Sequence, residues 1–109
     1  MDIVSAYSQR RPAEIDFKAT VSSAPRFFYG RRSHAMHEAF DAQTAAGPVE
    51  IVDNVSIAPR CPVKIGDAID VRGEMVHDPG RLPIVHWTHH DPEGTHSGGF
   101  IRLHGRVYA

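Results

Sequence analysis

The chain has one cysteine in 109 residues, no surplus of basic charge and no long apolar run. Cys61 alone can form neither an internal disulfide nor a zinc framework, so no covalent staple holds the fold. No stretch approaches the roughly 18 consecutive apolar residues of a membrane span, and no membrane association is expected. Net charge is −1 with neutral histidines, whereas proteins that coat themselves with nucleic acid are usually basic overall. Only a local patch could serve that class of function. Residues Met1 to Tyr7 carry no basic segment followed by an apolar one, so a secretory signal is not expected and a cytoplasmic location is. There is no P-loop, no Gly-x-Ser-x-Gly and no dinucleotide-binding fingerprint.

The 41% apolar and 23% charged residues suit one globular domain with a modest core. The first dozen residues can hold a short helix with Ile3, Val4 and Tyr7 on one side, stopped at Arg11-Pro12; residues 1–14 are an N-terminal helix or arm. From Ile15 onward the apolar period is near two, punctuated by Gly or Pro every eight to fifteen residues, which means short strands. The candidates are Ile15–Ser22, Ser33–Gln43, Val49–Val55, Asp67–Val76, Pro83–His90 and Phe100–Tyr108.

Two of these show the alternation of a half-buried antiparallel strand. Ile69, Val71 and Met75 share one face against Asp70, Arg72 and Glu74; Ile101, Leu103 and Val107 share one against Arg102, His104 and Arg106. Gly73 and Gly105 fall inside these runs, where a small barrel needs a bulge or a sharp bend. The segment Lys64 to Gly73, of the form Lys-x-Gly-Asp-x-hydrophobic-x-hydrophobic-x-Gly, suits the opening of an OB-barrel strand. The expected fold is all-β: a small OB-like antiparallel β-barrel of five to six strands over residues 15–109, without the usual helix between Val55 and Lys64. A small sandwich is the rival architecture.

Four of the eight histidines lie between His86 and His96, in the string H-W-T-H-H-D-P-E-G-T-H. Histidine binds transition metals and moves protons near neutral pH, so chemistry would sit here. On an extended strand His86 and His90 lie about 13 Å apart, too far to share an ion, while His89 and Asp91 fall on one side about 7 Å apart. Asp91-Pro92-Glu93-Gly94 suits a tight turn that returns His96 beside the strand. His89, Asp91 and His96 then make a two-histidine, one-carboxylate face for a divalent metal such as zinc, iron or manganese. A water on that ion would be acidified, with His90 or Glu93 as a proton acceptor. The structural alternative has Asp91 capping the turn, the histidines bonded to carbonyls and Trp87 in the core.

A second constellation is Arg26-Phe27-Phe28-Tyr29-Gly30-Arg31-Arg32, three arginines around three aromatics with no acid between them. Arginines for phosphates and flat rings for bases are what single-stranded nucleic acid needs; the alternative is a solvated hairpin covering a barrel end. His34 and His37 share a side only if helical. Asp53 and Asn54 suit an ordinary strand end. Cys61, beside Arg60, would become a reactive thiol if the guanidinium lowered its pKa.

The run Ile57-Ala58-Pro59-Arg60, with Gly66-Asp67, Gly73-Glu74, His86 to Pro92, Gly94, His96, Gly98-Gly99-Phe100 and His104-Gly105, resembles the bacterial domain of unknown function 3465 family. The likeness covers about residues 15 to 109 and implies an OB-like β fold without a transferable activity. Three functions stay open. The first is a small binding module whose His-rich turn holds a divalent metal or a small anionic ligand, with His86 and His90 beside it. The second is a metal-dependent hydrolase of phosphodiesters or other esters. The third is a single-stranded nucleic-acid-binding OB domain using Arg26, Phe28, Arg31 and Arg32.

Overall fold

Alternating burial along the strands builds the interior of the protein, which the computed structural model describes over residues 1–109. In β1 (Ala13–Val21), Ile15, Phe17, Ala19 and Val21 are buried and the residues between them are exposed. In β5 (Ala68–Val76), Ile69, Val71 and Met75 are buried, as their spacing predicts. β3 (Ala35–Thr44) contributes Phe40 and Ala42, and β4 (Gly47–Asn54) contributes Val49 and Ile51. β6 (Ile84–His86) adds Val85, which is fully buried.

β1 pairs with β3 and with β5, β3 pairs with β4, β4 runs parallel to β6, and β6 returns to β5. These five strands close on themselves, with one parallel contact at the seam, which is the OB arrangement. Closure removes the edges that short strands would otherwise expose. Outside the barrel, β2 (Arg26–Gly30) pairs with β3 alone, and β7 (Phe100–Leu103) pairs with β5 and carries β8 (Arg106–Tyr108).

Four sequence expectations change. Arg26–Gly30 is a strand in its own right. The segment Phe100–Tyr108 is not one strand but two, reversed at His104 (φ 51°) and Gly105 (φ 79°), which leaves Val107 exposed instead of beside Leu103. Pro83–His90 is extended only over Ile84–His86, because Trp87 takes φ 55° and turns the chain out of the sheet. The helix α1 (Ile3–Ser8) is present, with Asp2 accepting from the Ser5 N–H at its start, but it buries Ala6 and leaves Val4 exposed.

Residues 55–67 form no helix. Ala58, Cys61 and Val63 instead turn inward and plug one end of the barrel. Gly73 is required by its neighbours: a Cβ there would stand 2.5 Å from the His86 carbonyl. That close backbone approach seats β6 and the loop after it.

Candidate functional site

The loop from Trp87 to Gly99 carries the histidine string, and its residues are spent largely on holding its shape. Asp91 Oδ2 accepts from the backbone N–H groups of Thr95 and His96, both at 2.6 Å, and from the Thr95 hydroxyl; Oδ1 accepts from the Glu93 N–H at 3.0 Å. These donors hold the Asp91 carboxyl below the usual carboxylate range. The turn returns His96 onto Trp87, whose rings stack at 4.0 Å and 11°, while His89 packs against Trp87 at 5.3 Å. The Nδ1–H groups of His89 and His96 each donate to a neighbouring carbonyl, of His90 and of Ser97, at 2.7 Å. A Cβ on Gly99 would collide with the carbonyls of Trp87 and Arg72, so only glycine closes the loop.

His89, Asp91 and His96 are therefore not gathered as a ligand set. Asp91 faces the amides of its own turn, the two histidines pack with Trp87, and His90 is exposed away from them. Nowhere in the protein do three or more His, Cys, Asp or Glu side chains come together in an arrangement that would hold a metal ion.

A different grouping forms around β6. His86 Nε2–H donates to Glu74 Oε1 at 2.9 Å, and His96 Nε2 lies 3.8 Å from the other oxygen of the same carboxylate. A cleft of about 280 Å³ is lined by His37, His86, His89, Trp87, Ser33 and Asn54, among others. Burial pushes the His89 imidazole below its usual pKa, since there is little water to solvate its charged form. Sequence reasoning had set His37 aside as ambiguous; its strand places it on this cleft.

Glu38 and Asp53 were missed as well. They are register partners on β3 and β4 and both are fully buried. Glu38 accepts from the Cys61 N–H at 3.1 Å, and the Thr88 hydroxyl lies 3.1 Å from both Asp53 Oδ1 and the Val52 carbonyl. Desolvation pushes both acids up, Asp53 to about 7, helped by the proximity of Glu38. Cys61 is pushed up to about 12 by burial and by the surrounding acids, so the thiol is inert where Arg60 was expected to activate it.

The arginine–aromatic run stands on the outside. In β2, Phe27, Phe28 and Tyr29 keep 43%, 44% and 56% of their surface exposed, too much for a core strand. The Arg60 guanidinium lies 4.5 Å over the Phe27 ring, and Phe28 stacks on His37 at 5.3 Å and 14°. Arg26 is occupied, bridging Asp41 at 3.2 Å and Glu50 at 2.6 Å. Arg31 and Arg32 are exposed and make no ion pair. Trp87 packs against the rings of His89 and His96, and Arg102 is engaged by Asp70 at 3.5 Å.

No curated protein matches the chain. Among solved structures, that titled crystal structure of the tetrameric p202 HIN2 is similar, with a TM-score of 0.59 at 12% identity, covering 94% of this chain and 48% of that one. This chain thus spans about half of that protein, and the likeness is one of fold. The profile of the family described as protein of unknown function (DUF3465) matches residues 13–109, which take in the whole barrel, both flanking hairpins and the histidine loop. The chain belongs to that family.

Proposed function

We propose that this protein is a binding module for single-stranded nucleic acid, held at β2 and the turn that follows it. The observation that carries the reading is the exposure of three aromatics on β2, Phe28 on one side of the strand and Phe27 and Tyr29 on the other, beside Arg31 and Arg32, which make no ion pair. Aromatic faces accept unstacked bases without regard to sequence, and free guanidinium groups accept phosphates. From Phe27 to His37 the chain has no Asp or Glu, so Arg31 and Arg32 leave that stretch basic although the protein as a whole is at −1. The position supports the same reading: the face sits in the connection between the first two barrel strands, a place where OB barrels take oligonucleotides.

The test is fluorescence anisotropy of labelled oligouridylate and oligothymidylate across a range of salt. Binding that weakens steeply with salt, and that is weaker with a shallower salt dependence in Arg31→Ala/Arg32→Ala, supports the reading. Absence of binding at low salt overturns it.

A further inference from the structure

The two surfaces that stand apart in the sequence meet at one residue. Phe28 of the aromatic face stacks on His37, and His37 lines the same cleft of about 280 Å³ as His86 and His89. Three histidines from three segments thus share one hollow at the edge of a face suited to an unstacked strand. Their rings are held differently. His86 gives its Nε2–H to Glu74, which orients the ring and leaves Nδ1 as its free nitrogen. His89 gives its Nδ1–H to the His90 carbonyl, which leaves Nε2 with a lone pair, and burial keeps that ring neutral at pH 7. His37 gives its Nδ1–H to the Ala35 carbonyl and is fixed between β3 and the Phe28 ring. An imidazole with a free Nε2 lone pair beside one that is hydrogen-bonded through its Nε2–H to a carboxylate is the arrangement that general acid–base chemistry requires.

We propose that this cleft cleaves single-stranded RNA by passing the phosphodiester to the neighbouring ribose 2′-hydroxyl; the inference rests on the nucleic-acid reading above. His89 Nε2 takes the 2′-hydroxyl proton as the O2′–P bond forms. The P–O5′ bond breaks, and protonated His86 gives its Nδ1 proton to the departing O5′. The products are a 2′,3′-cyclic phosphate and a free 5′-hydroxyl. One proton enters His89 and one leaves His86, solvent resets both, and no oxidant or further reactant is consumed. The nucleophile is part of the substrate, already beside the phosphorus, so the protein need only orient it and move protons. His37 is a positioning residue, joining the stacked base to the cleft.

The experiment uses the full chain, a 5′-labelled oligouridylate and its 2′-O-methyl counterpart, with EDTA present throughout. The expected result is cleavage of the first strand to cyclic-phosphate ends, no cleavage of the second, and binding of both. His89→Asn and His86→Asn, each verified as folded by circular dichroism, should each slow cleavage by about 100-fold or more, the scale of a lost acid–base group, and retain binding of the 2′-O-methyl strand. Intact RNA that is nevertheless bound overturns cleavage and leaves the binding reading standing. No binding of either strand removes both. Cleavage that persists in both variants also overturns the proposal, since it would then come from a contaminating nuclease.

Discussion

Glu38 and Asp53 face one another across β3 and β4 inside the barrel, and each has a carboxyl oxygen, Oε2 and Oδ2, without a hydrogen-bond partner. Burial away from water makes both carboxylates costly to ionise, and the neighbouring Glu38 adds to the cost for Asp53, so the pair favours holding a proton. Through Cys61 on one side and Thr88 on the other, this pair ties the plug and the histidine loop to the same two strands.

Stability should therefore fall as pH rises. The folded pKa of Asp53, about 7, lies above its ordinary 3.8, so the folded protein binds more protons than the unfolded chain between those values. The stabilising contribution is complete below about pH 4, declines through the window and is gone above about 7. Asp53→Asn, whose amide can donate to the bare Glu38 oxygen, should flatten this slope and raise the melting temperature at pH 8. Thermal melts of both proteins from pH 4 to 8 test this; parallel curves would show that the pair does not hold the proton.

Gly99→Ala should be among the most damaging single substitutions. Its Cβ would meet two backbone carbonyls, those of Trp87 and Arg72, and neither can swing aside as a side chain would. A loss of roughly 3 kcal/mol or more in urea unfolding is expected, at or beyond the upper end of ordinary overpacking. A loss under about 1 kcal/mol would mean that the loop is not seated as described.

Asp91 is expected to act as a cap and not as a metal ligand. Its folded pKa is lowered, so its contribution is present above the ordinary carboxylate range and disappears as pH falls through the folded value. Asp91→Ala should speed amide exchange at Thr95 and His96 and expose the turn at Gly94 to proteolysis. Added zinc or manganese should leave the melting temperature of the parent unchanged. A rise with metal that His96→Ala abolishes would restore the ligand set.

Phe28→Ala and Tyr29→Ala should separate binding from folding. Both side chains are about half exposed, so stability should change by about 0.5 kcal/mol or less. Affinity for oligouridylate should drop by about 1–3 kcal/mol for each stacked base removed. Arg31→Ala/Arg32→Ala should lower the salt slope by about 1.4, or about 0.7 for each phosphate contact on a single strand. A large loss of stability in the aromatic variants would instead make the hairpin a structural cover.

The barrel was legible because its strands alternate: Ile69, Val71 and Met75 are buried as their spacing demands, and Lys64 to Gly73 runs into a barrel strand. The missed features share a cause, which is that pattern reading assigns polar residues to water. Glu38 and Asp53 occupy core positions of their strands, and nothing local marks an acid whose partner is 15 residues away. Gly105 marked a bend in the last strand, but not that the chain reverses there at His104; Trp87 adopts a left-handed backbone angle uncommon for a bulky residue, so the break after His86 does not show in the sequence. The histidine string stood out by composition alone. Its most useful relationships, His86 to Glu74 and His89 to the cleft shared with His37, run to other strands, where spacing along the chain carries no signal.

The unequal lengths of the pairings have a consequence for how the molecule is assembled. β1 and β5 are zipped along Ala13–Thr20 against Ala68–Met75, whereas the parallel seam holds only Glu50 and Ile51 against Ile84 and Val85. A pairing this brief has few hydrogen bonds to hold it and is expected to open before the long β1–β5 zipper does. His86 closes that strand and leads straight into the loop. The cleft therefore exists only in the fully zippered barrel, and a chain still folding, or breathing at its seam, carries the aromatic face without the histidine hollow beside it.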